Sequence, residues 1–166
     1  QGAAQQLTAR LVARATMTTP DEEKLAIEGK AMSFLARRAY AVDELRRKLL
    51  QRDFDPQLVE EVLADYIGRG WLDDEEFAAH QAELLAAKGW GPSRIRSKLI
   101  DHGVARDIAA ASVDALDVDW RALARARVLR RFGELREDRD RQRAFRHLTT
   151  RGFSSQIARQ VVLDDL

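Results

Sequence analysis

Stops, caps and apolar side chains recur along this chain at a spacing close to fifty residues. Displacing the sequence by 50 positions lays Leu35 on Leu85, Leu45 on Ile95, Arg46 on Arg96, Lys48 on Lys98 and Leu49 on Leu99. Phe54 then falls on Val104 and Leu58 on Ile108. A further displacement of 49 brings Leu99 onto Leu148, Gly103 onto Gly152, Val104 onto Phe153 and Ile108 onto Ile157. Apolar agreement between two amphipathic helices is easily obtained. Agreement of helix ends, caps and apolar positions together, over three segments, marks one small unit written three times.

The local grammar says what that unit is. Thr19-Pro20-Asp21-Glu22 has the form of a capping box with proline in the first turn. Ile27, Ala31, Phe34 and Leu35 follow at helical spacing, ending near Arg38, with Gly29 a weak point inside. A second helix carries Leu45, Leu49 and Leu50. A third opens at Asp55-Pro56, carries Leu58, Val62, Leu63 and Tyr66, and stops at Gly68 and Gly70. Asp73 to Glu76 opens a fourth, which stops at Gly89, and Gly91-Pro92 opens a fifth, which ends at Gly103. Residues 105–116 supply a sixth. Asp119 begins a seventh that ends at Gly133, an eighth ends at Gly152, and Ser154 caps a ninth. Glycine stands where a left-handed residue closes a helix, and no alternating apolar pattern argues for a strand. The expected fold is all-α: three tandem three-helix repeats forming an elongated, curved molecule. Repeat 1 spans 20–72, repeat 2 spans 73–118 and repeat 3 spans 119–166, after an N-terminal tail or short helix over 1–19 that holds Leu7, Leu11 and Val12. The third repeat has a longer charged connection, Glu134 to Asp140, between its first two helices. Each repeat is too small for a generous core, so neighbouring repeats are expected to support one another.

Chemistry is poorly supported. The chain has no cysteine, which removes thiolate nucleophiles, disulfides and Cys-based zinc sites. His80, His102 and His147 lie on three separate helices without metal-type spacing. The run Asp73-Asp74-Glu75-Glu76 is better explained by capping and the helix dipole than by a cation. Gly89-Trp90-Gly91-Pro92 lacks the spacing and lysine of a phosphate loop. No catalytic residue, metal or cofactor is expected. No apolar run approaches the ~20 residues that span a bilayer, so no membrane partner is expected.

Binding is better supported, because charge is segregated. Residues 20–90 hold 10 basic and 16 acidic side chains, a balance of −6. Residues 119–159 hold 12 arginines and 5 acids, a balance of +7. Arg46, Arg47 and Lys48 lie on the second helix of repeat 1, with Arg94, Arg96 and Lys98 on its equivalent in repeat 2. In repeat 3, Arg141, Arg143 and Arg146 occupy the comparable helix, preceded by Arg125, Arg127, Arg130 and Arg131. Such a basic edge suits phosphates along a strand or an acidic protein surface. The alternative is that these cations only solubilise amphipathic helices. Trp71, Trp90 and Trp120 fall at joints between helices and are expected to anchor packing between modules.

The joint pattern resembles the RecX family. The residues that carry the resemblance are Leu45-Arg46-Arg47-Lys48-Leu49-Leu50, Gly70-Trp71-Leu72-Asp73-Asp74-Glu75-Glu76-Phe77-Ala78, Gly89-Trp90-Gly91-Pro92-Ser93-Arg94-Ile95-Arg96 and Arg151-Gly152-Phe153-Ser154. It runs from about Ile27 to Leu163, and the block from Gly70 through Val104 is its specific part. The resemblance implies a cytoplasmic bacterial protein that binds RecA protein and the RecA nucleoprotein filament on DNA. It implies modulation of RecA, mainly inhibition of ATP hydrolysis, strand exchange and coprotease activity, by lodging in the filament groove; weak direct binding to single- or double-stranded DNA is a further candidate contact. The chain departs from the pattern in three places. Ala41 stands where a Ser or Thr cap is expected, which costs about 1 kcal/mol of helix stability. Asp53 replaces the turn glycine found at Gly103 and Gly152. Glu83-Leu84-Leu85-Ala86-Ala87-Lys88 lacks the arginines usual on that helix, which moves the expected contacts to the flanking basic helices. An autonomous DNA-binding protein and a plain helical scaffold are the competing readings, with an enzyme last.

Overall fold

The structure, a computed structural model, describes residues 19–163. The tail or short helix expected over 1–19 therefore lies, except for Thr19, outside the described residues. Among the described residues every regular element is a helix. In order they are α1 (Pro20–Leu35), α2 (Val42–Leu50), α3 (Pro56–Gly68), α4 (Asp74–Ala87), α5 (Pro92–Asp101), α6 (Arg106–Asp114), α7 (Trp120–Phe132), α8 (Asp138–Thr150) and α9 (Ser155–Leu163). They pack as trios: α1 with α2 and α3, α4 with α5 and α6, α7 with α8 and α9. The first trio forms one compact unit that ends at Leu72, and the other two together form a second that begins at Asp73.

The caps act as their residue types predict. Thr19 Oγ1 accepts from the Glu22 amide at 3.3 Å while Glu22 Oε2 accepts from the Thr19 amide at 2.9 Å, closing a capping box. Asp55, Asp73 and Asp119 each accept from two amides of the following first turn, and Ser154 Oγ accepts from Ile157 N–H. Four helices close with the same pair of bonds: Trp71, Trp90, Val104 and Phe153 donate to the carbonyls of Tyr66, Leu85, Leu99 and Leu148. This six-to-one closure needs a left-handed residue just before the donor, supplied by Gly70, Gly89, Gly103 and Gly152. Asp53 takes the equivalent place in the first trio with φ 59°, the sole positive-φ residue other than glycine among the described residues.

Each trio has its own apolar centre, built on the register read from the repeat. Leu45, Ile95 and Ala144 are fully buried, as are Leu49, Leu99 and Leu148, and again Val59, Ala109 and Ala158. Around Leu45 and Leu49 gather Ile27, Ala31, Val62, Leu63 and Tyr66. Around Leu148 gather Val128, Leu135, Phe153 and Val161. A second device recurs at the position after Arg46 by two: Lys48 lies 5.9 Å from the Phe34 ring and Lys98 4.7 Å from the Trp90 ring. At the third equivalent, His147 meets Phe132 edge-on at 5.6 Å. In every trio the second helix thus sets a nitrogen-bearing side chain against an aromatic at the end of the first.

Two boundaries differ from expectation. α1 stops at Leu35, because Ala36 and Arg37 already turn through bonds to Met32 and Phe34 carbonyls. α8 starts at Asp138 instead of after Asp140, since Glu137 is extended and the acids Asp138 and Asp140 favour a helix's first turn. The shortened connection buries Leu135 in the third core, a residue whose charged neighbours hid it in the sequence.

Within the second unit, the two trios meet backbone to backbone. The α5 N-terminus has no side-chain cap at Gly91. Instead Gly91 N–H donates to Arg151 O at 2.8 Å and Ser93 N–H to Gly152 O at 3.1 Å. The carbonyl end of α8 therefore caps the amide end of α5, an arrangement favoured by both helix dipoles. The approach is so close that a Cβ on Gly91 would fall 2.4 Å from Gly152 C, and one on Gly152 2.4 Å from Arg94 N.

Candidate functional site

The basic rows expected along the second helices are not equivalent in three dimensions. In the first trio they are neutralised from within. Arg46 grips Glu60 on α3 through Nε at 2.6 Å and also reaches Asp43 at 3.0 Å. These hydrogen bonds, chiefly the one to Glu60, outweigh desolvation and raise its pKa. Arg47 pairs with Asp43 at 3.1 Å, and Lys48 lies over Phe34. Arg46 is thus a strut between α2 and α3, and two of the three cations are already paired.

The second trio is more open. Arg96 repeats the Arg46 strut in weaker form, 3.5 Å from Asp114 at the end of α6. Arg94 is exposed, and its backbone is the surface on which Gly152 rests. Lys98 lies over Trp90. In the third trio Arg141 and Arg143 pair with Asp138 and Asp140 on their own helix, at 2.9 and 3.3 Å. Exposed pairs of this kind contribute at most about 1 kcal/mol and leave the charge available to a partner. Arg146, Arg141 and Arg159 border a groove of about 460 Å³ between α8 and α9, floored by Phe145, Val162 and Leu163. Arg125, Arg130 and Arg131 are exposed along α7.

Arg127 differs from the rest of α7. It turns toward the second trio, where Nη1 lies 3.5 Å from the Lys88 carbonyl. Gly89 permits this approach: a Cβ there would stand 3.2 Å from Nη1, and its φ of +78° suits only glycine well. Arg151 reaches the same place from the end of α8, its guanidinium 4.1 Å from the Trp90 ring centre. Trp90 consequently bears two cations, Arg151 and Lys98. Burial, with the charges of Arg151, Arg130 and Arg131, pushes the Arg127 pKa down. Burial, with Arg131, Arg127 and Arg151, pushes the His147 pKa down as well. Both side chains keep a buried nitrogen, Arg127 Nε and His147 Nε2, without a hydrogen-bond partner.

The candidate residues therefore separate into three sets. Arg46, Arg47, Arg96, Arg141 and Arg143 have carboxylate partners, whereas Lys48, Arg94, Lys98, Arg125, Arg130, Arg131 and Arg146 are exposed or lie on an aromatic ring. Arg127 gathers with Arg151, His147 and Trp90 at the joint between the second and third trios. The sequence marks Trp90 as a packing anchor, gives His147 no metal-type spacing and shows Arg151 only as part of the family-like motif. The one available signal was that Gly89-Trp90-Gly91 and Arg151-Gly152-Phe153 both combine glycine with an aromatic, the mark of close backbone approach. Trp71, by contrast, is half exposed and packs on Tyr66 at 5.1 Å inside its own unit. Among the described residues no three His, Asp or Glu side chains gather as metal ligands, and no helix is long and apolar enough to cross a membrane.

Comparison with known proteins gives one consistent result. Residues 29–65 match the first three-helix domain of RecX, and residues 73–113 match the second. The regulatory protein RecX of Stenotrophomonas maltophilia strain R551-3 is 33% identical over 138 residues, covering 82% of this chain and 85% of the relative. That of Xanthomonas oryzae pv. oryzae strain PXO99A is 34% identical over 139 residues, covering 82% and 86%. A crystal structure of a regulatory protein RecX superposes with a TM-score of 0.74 over 93% of this chain and 76% of the other, at 21% identity. RecX from Lactobacillus salivarius superposes with a TM-score of 0.75 over 88% and 99%, at 18% identity, so these two likenesses speak for the fold.

Proposed function

The chain belongs to the RecX family of non-enzymatic regulatory proteins, and we propose from this that it binds RecA protein and the filament RecA forms on DNA. Bound there, it inhibits ATP hydrolysis, strand exchange and coprotease activity, and it does so in the cytoplasm. The observation that carries the reading is the length of the match: curated relatives of that name align through most of the chain, both matched three-helix domains included.

The mechanism is multivalent. Repeats 20–72, 73–118 and 119–166 each make modest contacts with successive subunits of the polymer, and covalent linkage raises the effective concentration of the second and third contacts. A groove so occupied opposes the subunit motions that hydrolysis and strand exchange require. The segregated cations of α5, α7 and α8 give the encounter its electrostatic component and its sensitivity to salt.

Co-sedimentation with RecA filaments, set against the same DNA without RecA, tests the reading. Retention by the filament at a salt concentration that releases the chain from bare DNA supports it. Equal retention by bare DNA favours an autonomous DNA-binding protein. The triple variant Arg94→Glu, Arg96→Glu, Lys98→Glu should retain its helical content and require a concentration higher by about tenfold for half-inhibition, an energy of about 1.4 kcal/mol. Unchanged inhibition removes α5 from the contact.

A further inference from the structure

Eight arginines face a carboxylate: Arg38, Arg46, Arg47, Arg69, Arg96, Arg136, Arg141 and Arg143. At the joint between the second and third trios the partly buried cations have none. Arg127 and Arg151 meet no acid there, and the charges that act on Arg127 and His147 are all positive. Repulsion of this kind is unfavourable, and the fold nevertheless holds it in place. The Gly91–Arg151 and Ser93–Gly152 backbone bonds fix Trp90 against α8, Trp90 sets the Arg151 and Lys98 heads, and Gly89 admits Arg127.

We propose that this joint is a binding site for one phosphate group, held by Arg127 and Arg151 with Lys98 beside them on the Trp90 ring. Two lines of chemistry favour that ligand. Guanidinium forks pair with tetrahedral oxyanions through two N–H donors at once, and two arginines meet here beside Gly89 and Trp90. The surplus of positive charge exceeds what a single carboxylate neutralises, whereas a phosphate group brings up to two negative charges and several acceptor oxygens. The site does not depend on the RecA reading and stands or falls separately from it.

His147 provides an internal reporter. On α8 it faces Phe132, Arg127 and Arg131 of α7 and Arg151 beyond its own helix end. Burial first, and then these cations, hold its pKa down; an anion among them offsets the cationic part, so the pKa rises on binding. By linkage, protonation of His147 and phosphate binding then favour each other.

The test titrates the full chain with inorganic phosphate against sodium chloride at matched ionic strength, following the thermal midpoint and the His147 ring resonances. Saturable stabilisation with a rise in the His147 pKa is expected. The double variant Arg127→Gln, Arg151→Gln should bind phosphate at least about tenfold more weakly, as lost charge-assisted bonds require. The control Arg141→Gln, Arg143→Gln should bind as the parent does. A short thymidine oligonucleotide that displaces phosphate and shifts the same resonances identifies a nucleic-acid backbone as the source; an oligonucleotide that does neither identifies free phosphate. Equal behaviour of phosphate and chloride, or of the double variant and the parent, overturns the site. Should the double variant lose its fold, a parent His147 resonance unmoved by phosphate is sufficient to overturn it.

Discussion

Gly152→Ala is expected to destabilise the second unit by about 4 kcal/mol, enough to remove much of a typical domain's stability. Two independent costs combine. Gly152 adopts φ +91°, a conformation that strains residues with a Cβ by roughly 1–3 kcal/mol. The added methyl would stand 2.4 Å from Arg94 N and 2.9 Å from Arg94 Cα. Backbone atoms at a helix start cannot rotate aside, so the trios must separate, at a further cost of roughly 1–3 kcal/mol. Separation also weakens the bond from Ser93 N–H to Gly152 O. Gly29→Ala is the opposite case: nothing lies within 4 Å of its position, and it sits in the interior of α1. That substitution should stabilise by up to about 1 kcal/mol. Urea unfolding followed by circular dichroism measures both, and a Gly152→Ala cost below that of an ordinary surface substitution refutes the proposed contact.

Leu148→Ala should cost about 3 kcal/mol, within the roughly 2–5 kcal/mol range for a fully buried leucine. Leu148 has no exposed surface and is packed among Ala144, Val128, Phe153 and Val161. Its carbonyl also receives the Phe153 N–H that closes α8, so loosening the side chain loosens the turn that seats Gly152. Leu99→Ala, at the equivalent position, should cost a similar amount, because Leu99 is equally buried and its carbonyl receives the Val104 N–H. Leu148→Met keeps the volume and should cost less than about 1.5 kcal/mol. Denaturant midpoints for the three variants decide the matter: a mild Leu148→Ala beside a severe Leu99→Ala would break the equivalence of the repeats.

The helices were legible because their signals are local. A capping Thr or Asp, a proline in the first turn and a left-handed glycine after the last act within a few residues, and the apolar register repeats between them. Asp53 shows the depth of that legibility, since its φ of 59° follows from its place opposite Gly103. Ala41 likewise begins α2 without a side-chain cap, as its missing hydroxyl predicts. Leu135 was not legible, because one leucine between charged residues carries no period.

The candidate site was legible only in part, for a physical reason. Charge counts locate arginines on helices but not the acids that meet them across a trio. Arg46 and Glu60 are 14 residues apart, and their bond at 2.6 Å makes Arg46 a strut between α2 and α3 that no charge count shows. Conversely, Arg151 and Trp90 come together only because Gly91 and Gly152 let two helix ends touch. The positive surplus of the last third thus splits into paired residues, exposed residues and the unpaired group at the joint.

The decisive measurement is the rate of ATP hydrolysis by RecA on single-stranded DNA, titrated with this protein. A rate that falls steeply and saturates while the protein is substoichiometric to RecA is expected of a multivalent occupant of the filament. A rate unchanged when the folded protein is in excess over RecA contradicts its assignment as a RecA regulator.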